Sequence, residues 1–452
     1  MPTSRLFSPL HLSCQRLLLV AGAFHILLVL AISLAGIYRV FPGTFNQEGV
    51  GISFAIDSIG YHREASEMAQ LLQQDRLREW INYRSVFPTT LHIRLYSVGF
   101  ALMGKLVGFR TLAAEPLNLF YYVSILLLTY AIGRDVFGPK VGKVAAIIVS
   151  IWPSLLLHTT QLLRDPLFIS AFLLLVWTIT LCIKRRLSFG KALAFGATAG
   201  FAVLVILLCR TDMKEILVVE LLAAGTLCLW TQLREKRFLL PNICAIIIVT
   251  VLTVLIPKIL PAGFSKQTRS TSPEITYQAQ SVERYRDVSP LELFAQRVGI
   301  LRHKFIVAYP LAGSNVDAHV EINTAADLLA YGPRAAAVGF FAPFPSMWFT
   351  RGVQVGMIGR LVSGAEMLAI YFLFLLAIVT LVRQRKRPAI WFLFIVTTLG
   401  CLALGYVVAN ISALYRMRYT FFILLLILGV EGIYIVCKAS HGDSLTEGHT
   451  RD

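Results

Sequence analysis

The stretch of sequence that decides the fold is residues 17–37, LLLVAGAFHILLVLAISLAGI, which contains no charged residue. A helix needs about 20 mostly apolar residues to cross the hydrocarbon of a bilayer, and this run is long enough. Arg5 and Arg16 precede it. A cleaved secretory signal has a shorter apolar region that ends in a small-residue cleavage site. We therefore predict that residues 17–37 form an uncleaved first transmembrane helix.

Further apolar runs of similar length follow along the chain. They cover residues 114–133, 141–160, 166–183, 190–209, 215–232, 238–260, 361–382, 388–409 and 419–437. Two interrupted apolar segments, 93–109 and 335–350, are each a short span, a re-entrant piece or an interfacial helix, because the first contains two cations and the second two prolines. We predict an all-α fold, a polytopic membrane bundle of about 10–12 transmembrane helices.

The composition excludes an ordinary soluble protein. Of the 452 residues, 56% are hydrophobic and 15% are charged, and the mean hydropathy is +0.69. Soluble domains contain roughly 45–50% apolar and about 25% charged residues. Apolar surface in this excess needs lipid to cover it.

The net charge of +17 does not indicate a nucleic-acid partner, because the cations stand in short clusters between apolar runs. Examples are Lys184–Arg186 and Arg383–Arg387. Clusters of this kind set topology and contact anionic lipid headgroups. A ten-span count with both termini in the cytoplasm places every strongly basic short loop inside, and it places residues 38–113 and 261–360 outside.

These boundaries give four parts. The N-terminal transmembrane module is 1–260, and its first outer loop is 38–113. Residues 261–360 form an outer loop with a re-entrant or interfacial segment. Residues 361–438 hold the C-terminal transmembrane helices, and residues 439–452 form a cytoplasmic tail. Residues 57–80 have an apolar spacing that predicts a helix along the membrane surface.

Asp57 is the first candidate for chemistry, because it follows the first span on the predicted outer side. A carboxylate at a membrane surface can take a proton from a hydroxyl, or bind a cation beside a phosphate. His62 lies five residues on and could share the site. The structural alternative is that Asp57 or Ser58 is a helix N-cap.

Arg164-Asp165 is the second candidate, on a short loop of the same predicted side. Two acidic residues on separate loops of one face could share a site. Alternatively, Asp165 with Pro166 is an ordinary helix start.

Arg416 and Arg418 precede the last span, and their fork-shaped guanidinium groups suit phosphate. Headgroup contact is the structural alternative for both. Arg334 opens a proline-interrupted apolar segment that could line a groove or simply pack.

The remaining sequence motifs predict no metal site, nucleotide-binding site or common hydrolase site. The seven cysteines show no metal-ligand spacing, and no Walker, dinucleotide, HExxH or GxSxG motif occurs. Asn410-Ile411-Ser412 matches a short glycosylation sequon.

The arrangement resembles the GT-C superfamily of membrane glycosyltransferases, which use polyprenyl-phosphate-linked sugars. The matching features are Asp57 with Tyr61 and Ala65 after the first span, residues 133–138 before a span that contains Pro153, Asp165 at the start of the next span, and residues 416–419 before the last one. The section from Ala312 to Trp348 is similar to membrane proteins of bacterial exopolysaccharide clusters. Many GT-C relatives carry a second acidic residue where Ser58 stands, so the resemblance leaves a divalent cation as an open expectation and implies no other cofactor.

The resemblance implies roles for these residues. Asp57 would be the general base or would position the acceptor, and Asp165 would support it. Arg416 or Arg418 would hold the lipid phosphate, and Tyr61, His62, Arg164 and Arg334 would complete the substrate site. The expected partners are a polyprenyl-phosphate-linked sugar donor, a glycan or lipid acceptor and the lipid bilayer.

The implied function is sugar transfer at the outer face of a bacterial inner membrane, in cell-surface polysaccharide assembly. Two alternatives remain open at this stage. One is an O-antigen or exopolysaccharide polymerase or ligase, which also depends on external arginines. The other is a transporter or flippase for lipid-linked sugars, which would require charges inside the spans.

Overall fold

A computed structural model describes residues 13–40, 42–45, 51–236, 238–259, 289–308, 312–350, 352 and 355–446, with side chains to 439. Within these ranges the chain forms α-helices, short 3-10 turns and isolated bridges, without a strand. In chain order the helices are α1 (Cys14–Ile37), α2 (Asp57–Gln73), α3 (Leu77–Ile81), α4 (Leu91–Val107), α5 (Glu115–Val136), α6 (Pro139–Ser150), α7 (Pro153–Thr159), α8 (Asp165–Lys184), α9 (Phe189–Cys209), α10 (Lys214–Arg234), α11 (Leu240–Ile259), α12 (Pro290–Ala308), α13 (Ala325–Phe341), α14 (Gly356–Arg383), α15 (Pro388–Val407), α16 (Ile411–Met417) and α17 (Tyr419–Thr446).

The helices confirm a polytopic all-α membrane protein. In the described ranges, nine segments are long and apolar enough to cross a bilayer: α1, α5 with its preceding 3-10 turn, α8, α9, α10, α11, α14, α15 and the first 21 residues of α17. The bent pair α6–α7 makes ten if it counts as one span. These ten segments correspond to the ten clear apolar runs of the sequence. The structure leaves open which end is cytoplasmic and how the chain divides into modules, so both stay predictions.

The run 141–160, predicted as one span, is not a single straight helix in the structure. The structure breaks it between α6 and α7, whose axes differ by 69°. Pro153 is the cause in the sequence, since proline lacks the amide hydrogen that a continuing helix needs. Because of the break, α7 runs in a different direction from α6, and residues 158–165 lie at the end of the bundle.

The two doubtful apolar segments form helices that are not among the candidate spans. Helix α4 packs against α2. The two helices share a small apolar cluster, in which α2 buries Tyr61, Ala65, Met68 and Ala69. The predicted surface helix over 57–80 is therefore two helices, broken at residues 74–76, and its apolar face is covered by protein.

The described part of the predicted second outer loop, 261–360, is largely helical. Helices α12 and α13 form a small cluster that packs on α15. Arg302 is buried there, and its guanidinium donates to the backbone carbonyls of Val316, Asp317, Val320 and Tyr406. The Ser/Thr/Gln-rich stretch and the charges at 283–287 lie outside the described residues.

Candidate active site

Asp57 begins α2 but does not cap it. Its side chain makes no capping hydrogen bond. Instead, Arg416 Nη2 donates to Asp57 Oδ2 at 2.8 Å, and the two side chains are 21% and 29% exposed, respectively. The pair joins the segment after the first span to the segment before the last. The N-cap alternative therefore fails for the Asp57 side chain.

Asp165 stands at the first turn of α8, followed by Pro166 as the sequence predicted. Its side chain is not used as a cap either. Arg210 Nη2 donates to Asp165 Oδ1 at 2.5 Å, and both side chains are almost fully buried. Arg210 follows the last residue of α9, so the ion pair links the start of α8 to the end of α9.

Tyr61 and Arg164 lie beside these two pairs. Tyr61 is buried, and its ring packs edge-on against the rings of Phe87 and His92. Burial raises the pKa of the Tyr61 phenol to about 12, with opposing effects from the charges of Arg164 and Asp57. The phenol is thus neutral at physiological pH. Arg164 Nη1 donates to Thr89 Oγ1 at 3.3 Å.

Arg416 retains unused hydrogen-bonding capacity. Its Nε and Nη1 atoms have no hydrogen-bond partner in the described part of the chain, and neither is sealed from solvent. Burial lowers the pKa of Arg416, but the carboxylates of Asp165 and Asp57 outweigh it and raise that pKa above its ordinary value. The guanidinium is therefore a permanent cation, held in place by one carboxylate and open on its other edge.

Three of the predicted site residues lie elsewhere or point elsewhere. His62 Nε2 is 2.6 Å from the carbonyl oxygen of Phe109, so its imidazole secures the connection between α4 and α5. Arg334 forms an ion pair with Asp317 at 2.8 Å on α13. Arg418 is fully buried, and its Nη1 donates to the carbonyl oxygen of Gly339 at 3.3 Å.

Arg418 is enclosed by rings and is not open to a ligand. Its guanidinium carbon lies 4.5 Å from the ring centre of Phe422 and 5.1 Å from that of Tyr415. Burial lowers the pKa of Arg418 to about 10, which still leaves it charged. Of the two candidate arginines, the geometry thus favours Arg416 for an anion.

The site contains residues that the sequence did not single out. In the sequence Arg210 is only a cation that follows the apolar run 190–209, and Glu366 only a charge within the run 361–382. The structure bonds Glu366 to the backbone nitrogen of Ser154 at 2.8 Å and to the hydroxyls of Ser154 and Tyr415. Sequence spacing carries no signal for these contacts, because they join residues more than 40 positions apart.

The described residues do not fit a metal ion. They contain no group of three or more His, Cys, Asp or Glu side chains that could hold one. Asp57 and Asp165 each bind an arginine, which competes with a cation for the same oxygens. No step below involves a divalent cation.

The sequon at Asn410 has a structural use. The Asn410 side chain caps α16 by accepting from the backbone nitrogen of Ala413, and it donates to Ser314 Oγ and Asn315 Oδ1 at 3.0 Å. The residue is buried. Its amide is therefore engaged and not presented as a glycan acceptor.

Comparisons with known proteins give structural neighbours only. No protein-family model and no curated protein sequence matches the chain. The chain is similar to the archaeal oligosaccharyltransferase AglB from Archaeoglobus fulgidus, solved with an inhibitory peptide and a dolichol-phosphate, with a TM-score of 0.44 and 12% identity. The match covers 95% of this chain and 52% of AglB, so the chain spans about half the length of that protein.

A second similar structure is ArnT from Cupriavidus metallidurans bound to undecaprenyl phosphate, with a TM-score of 0.35 and 15% identity, covering 90% of this chain and 77% of ArnT.

Proposed function

We propose that this protein is a membrane glycosyltransferase. It transfers a sugar from a polyprenyl-phosphate-linked donor to a glycan or lipid acceptor at the outer face of the inner membrane, in cell-surface polysaccharide assembly. The observation that carries the proposal is the partly exposed Asp57–Arg416 pair, which sets a carboxylate and an open guanidinium side by side at the end of a membrane bundle.

The chemistry of sugar transfer fits this pair. The acceptor oxygen attacks the anomeric carbon, and the bond from that carbon to the phosphate oxygen breaks with its electron pair on the phosphate. The unused edge of Arg416 suits the phosphate, because charge-assisted hydrogen bonds strengthen as negative charge develops on the leaving group. Asp57 stands beside it, where it can position the acceptor hydroxyl or take its proton.

The buried Asp165–Arg210 pair supports the site without touching a substrate. It fixes the start of α8 against the end of α9, and the charge of Asp165 acts on Arg416. Removing one partner of a buried pair leaves an uncompensated charge and is strongly destabilising. We therefore assign Asp165 a positioning role.

The site favours sugar transfer over a polymerase that depends on arginine alone, because such a polymerase leaves the Asp57 carboxylate without a role. A transporter is expected to carry ionisable groups inside its spans. Glu366 and Glu431 are each hydrogen-bonded, to Ser154 and Gln384, whereas Glu220 is buried and its Oε1 has no partner among the described residues. Flux of a lipid-linked sugar in proteoliposomes without chemical change would favour the transporter.

The test is glycan analysis in cells that lack the protein and are complemented with Asp57→Asn. We expect normal membrane levels of the variant and a surface glycan that lacks one sugar or modification, because the amide has no negative charge with which to hold Arg416 and to position the acceptor hydroxyl or take its proton. Asp75→Asn is the matched control, since Asp75 is exposed on the same outer segment. Full restoration of the glycan by Asp57→Asn would remove Asp57 from the mechanism.

A further inference from the structure

His158 lies where the three segments of the site meet. It belongs to α7, seven positions before Asp165. Its ring packs at 4.7 Å from the ring of Phe54 and at 5.4 Å from that of Tyr419, measured between ring centres. Phe54 stands three residues before Asp57, and Tyr419 three residues after Arg416. The imidazole is thus wedged between the two segments that the Asp57–Arg416 pair joins.

The hydrogen bonds of His158 determine which ring nitrogen carries the proton. Nδ1 is 2.6 Å from the carbonyl oxygen of Ser154, which can only accept, so Nδ1 is the donor. The Tyr419 hydroxyl lies 3.2 Å from the same nitrogen. In the neutral imidazole, the lone pair is therefore on Nε2.

Nε2 of His158 is unoccupied by protein. It has no hydrogen-bond partner among the residues that the structure describes. The side chain of His158 is mostly buried, with 8% of its surface exposed, and Nε2 is not one of the described polar atoms that are fully enclosed without a partner. The lone pair of Nε2 is thus held in a fixed position without a partner, as in a side chain that accepts a proton during catalysis.

Hydrogen bonds on the Nδ1 side of the ring fix the orientation of His158. Ser154, whose carbonyl accepts from Nδ1, is itself bound by both oxygens of Glu366 at 2.8 and 2.6 Å. Glu366 also accepts from the Tyr415 hydroxyl, and Tyr415 adjoins Arg416. One carboxylate thus holds both the helix that carries His158 and the segment that carries Arg416.

We propose that Nε2 of His158 takes the proton from the acceptor hydroxyl during transfer. The inference rests on the proposed function and adds a catalytic residue to it. As the acceptor oxygen bonds to the anomeric carbon, its O–H bond breaks and the proton passes to Nε2. The sugar–phosphate bond breaks at the same time, and the electron pair leaves with the phosphate oxygen beside Arg416. The imidazolium then returns its proton to water.

This assignment divides the work between His158 and Asp57. Asp57 has one oxygen bound to Arg416, and its carboxylate orients the acceptor and the guanidinium together. The charges within reach of His158 are those of Asp165 and Arg416, while Tyr419 touches its ring and Glu366 acts through Ser154. Burial and the charge of Arg416 oppose an imidazolium formed in the reaction, whereas the Ser154 carbonyl and the charge of Asp165 stabilise it.

The test compares two variants in membranes of the source cells, which carry their own donor and acceptor. His158→Asn keeps a donor for the Ser154 carbonyl, and His158→Gln places an amide near the position of Nε2, and neither supplies a base. We expect both to lower the transfer rate at least 100-fold, with binding of undecaprenyl phosphate by the purified proteins unchanged within twofold. His319→Gln, an exposed histidine on the outer region, is the control and should transfer normally.

Two further readouts separate proton transfer from a structural role. The wild-type rate should fall as the pH is lowered, because a protonated imidazole has no lone pair, and His158→Asn should lose this acidic limb. Added imidazole should restore part of the activity of His158→Ala. Transfer by both amide variants within about threefold of wild type, or an unchanged acidic limb, would overturn the inference.

A different set of results would reject the proposed function itself. If wild-type protein neither binds undecaprenyl phosphate nor alters the glycan, sugar transfer is wrong. If Asp57→Asn and Arg416→Ala abolish transfer while the His158 variants do not, sugar transfer stands and only the role of His158 is rejected.

Discussion

Arg416 has the surroundings that best suit an anionic ligand. Its guanidinium is held on one edge by Asp57 and open on the other, whereas Arg418 two positions on is sealed among aromatic rings. Both arginines look alike in sequence, since each flanks the last span. Only the packing of α16 against its neighbours separates them, and no local pattern encodes that packing.

We predict that Arg416→Ala weakens binding of undecaprenyl phosphate by about 10–100-fold, since hydrogen bonds to charged groups contribute roughly 1.5–3 kcal/mol. Titration of the purified protein in lipid nanodiscs measures the change. Arg416→Lys should lose less, because it keeps the charge but not the fork.

The control for this prediction is Arg76→Ala, which removes an exposed arginine of the first outer segment. Because Arg416→Ala also leaves Asp57 unpaired, the double variant Asp57→Asn, Arg416→Ala should bind no better than Arg416→Ala alone. Recovery of affinity in the double variant would show that repulsion by Asp57, and not loss of Arg416, caused the defect.

Helices α13 and α15 approach so closely that glycine is required where they cross. A Cβ built on Gly405 would lie 1.9 Å from the carbonyl oxygen of Ala335, and one on Gly339 would lie 2.0 Å from that of Cys401. Small residues permit this kind of backbone contact between membrane helices. The contact matters for the site because Gly339 also supplies a carbonyl to Arg418.

We predict that Gly405→Ala lowers the stability of the bundle by about 1–3 kcal/mol, the usual cost of overpacking. Thermal unfolding in detergent, followed by circular dichroism, measures the effect. Gly190→Ala is the matched control, because nothing lies within 4 Å of a Cβ there. Equal melting temperatures for Gly405→Ala and Gly190→Ala would contradict the close approach.

Much of the fold was predictable from sequence because hydrophobicity is a local property. Each of the ten long apolar runs corresponds to a span or to the bent α6–α7 pair. The bend itself was missed, although Pro153 was visible, because the direction of a broken helix depends on what it packs against. For the same reason the sequence singled out Asp57 and Asp165 as candidate carboxylates but did not pair them with Arg416 and Arg210, their partners in the structure.

At the scale of the whole molecule, the charged clusters separate to the two ends of the bundle. One end carries Asp57, Asp165 and Arg416. At the other end Asp135 pairs with Arg134 and Arg185, each at 3.0 Å. The basic turns that the sequence assigned to the cytoplasm are therefore on the end opposite to the site.

We predict from this separation that the site faces outward. In a variant without the seven native cysteines, Gly313→Cys should react with a membrane-impermeant maleimide in intact cells, and Gly190→Cys only after permeabilisation. Both positions are exposed and open, so reactivity reports sidedness. The reverse labelling pattern would place the site in the cytoplasm and reject the proposed topology.

The ion pair between Asp57 and Arg416 joins residues 359 positions apart. During synthesis Asp57 enters the membrane long before Arg416 is made. Until then the nascent protein holds a carboxylate without its guanidinium, so under the proposed function it lacks the group that binds the phosphate of the donor. A chain interrupted before α16 should therefore be inactive.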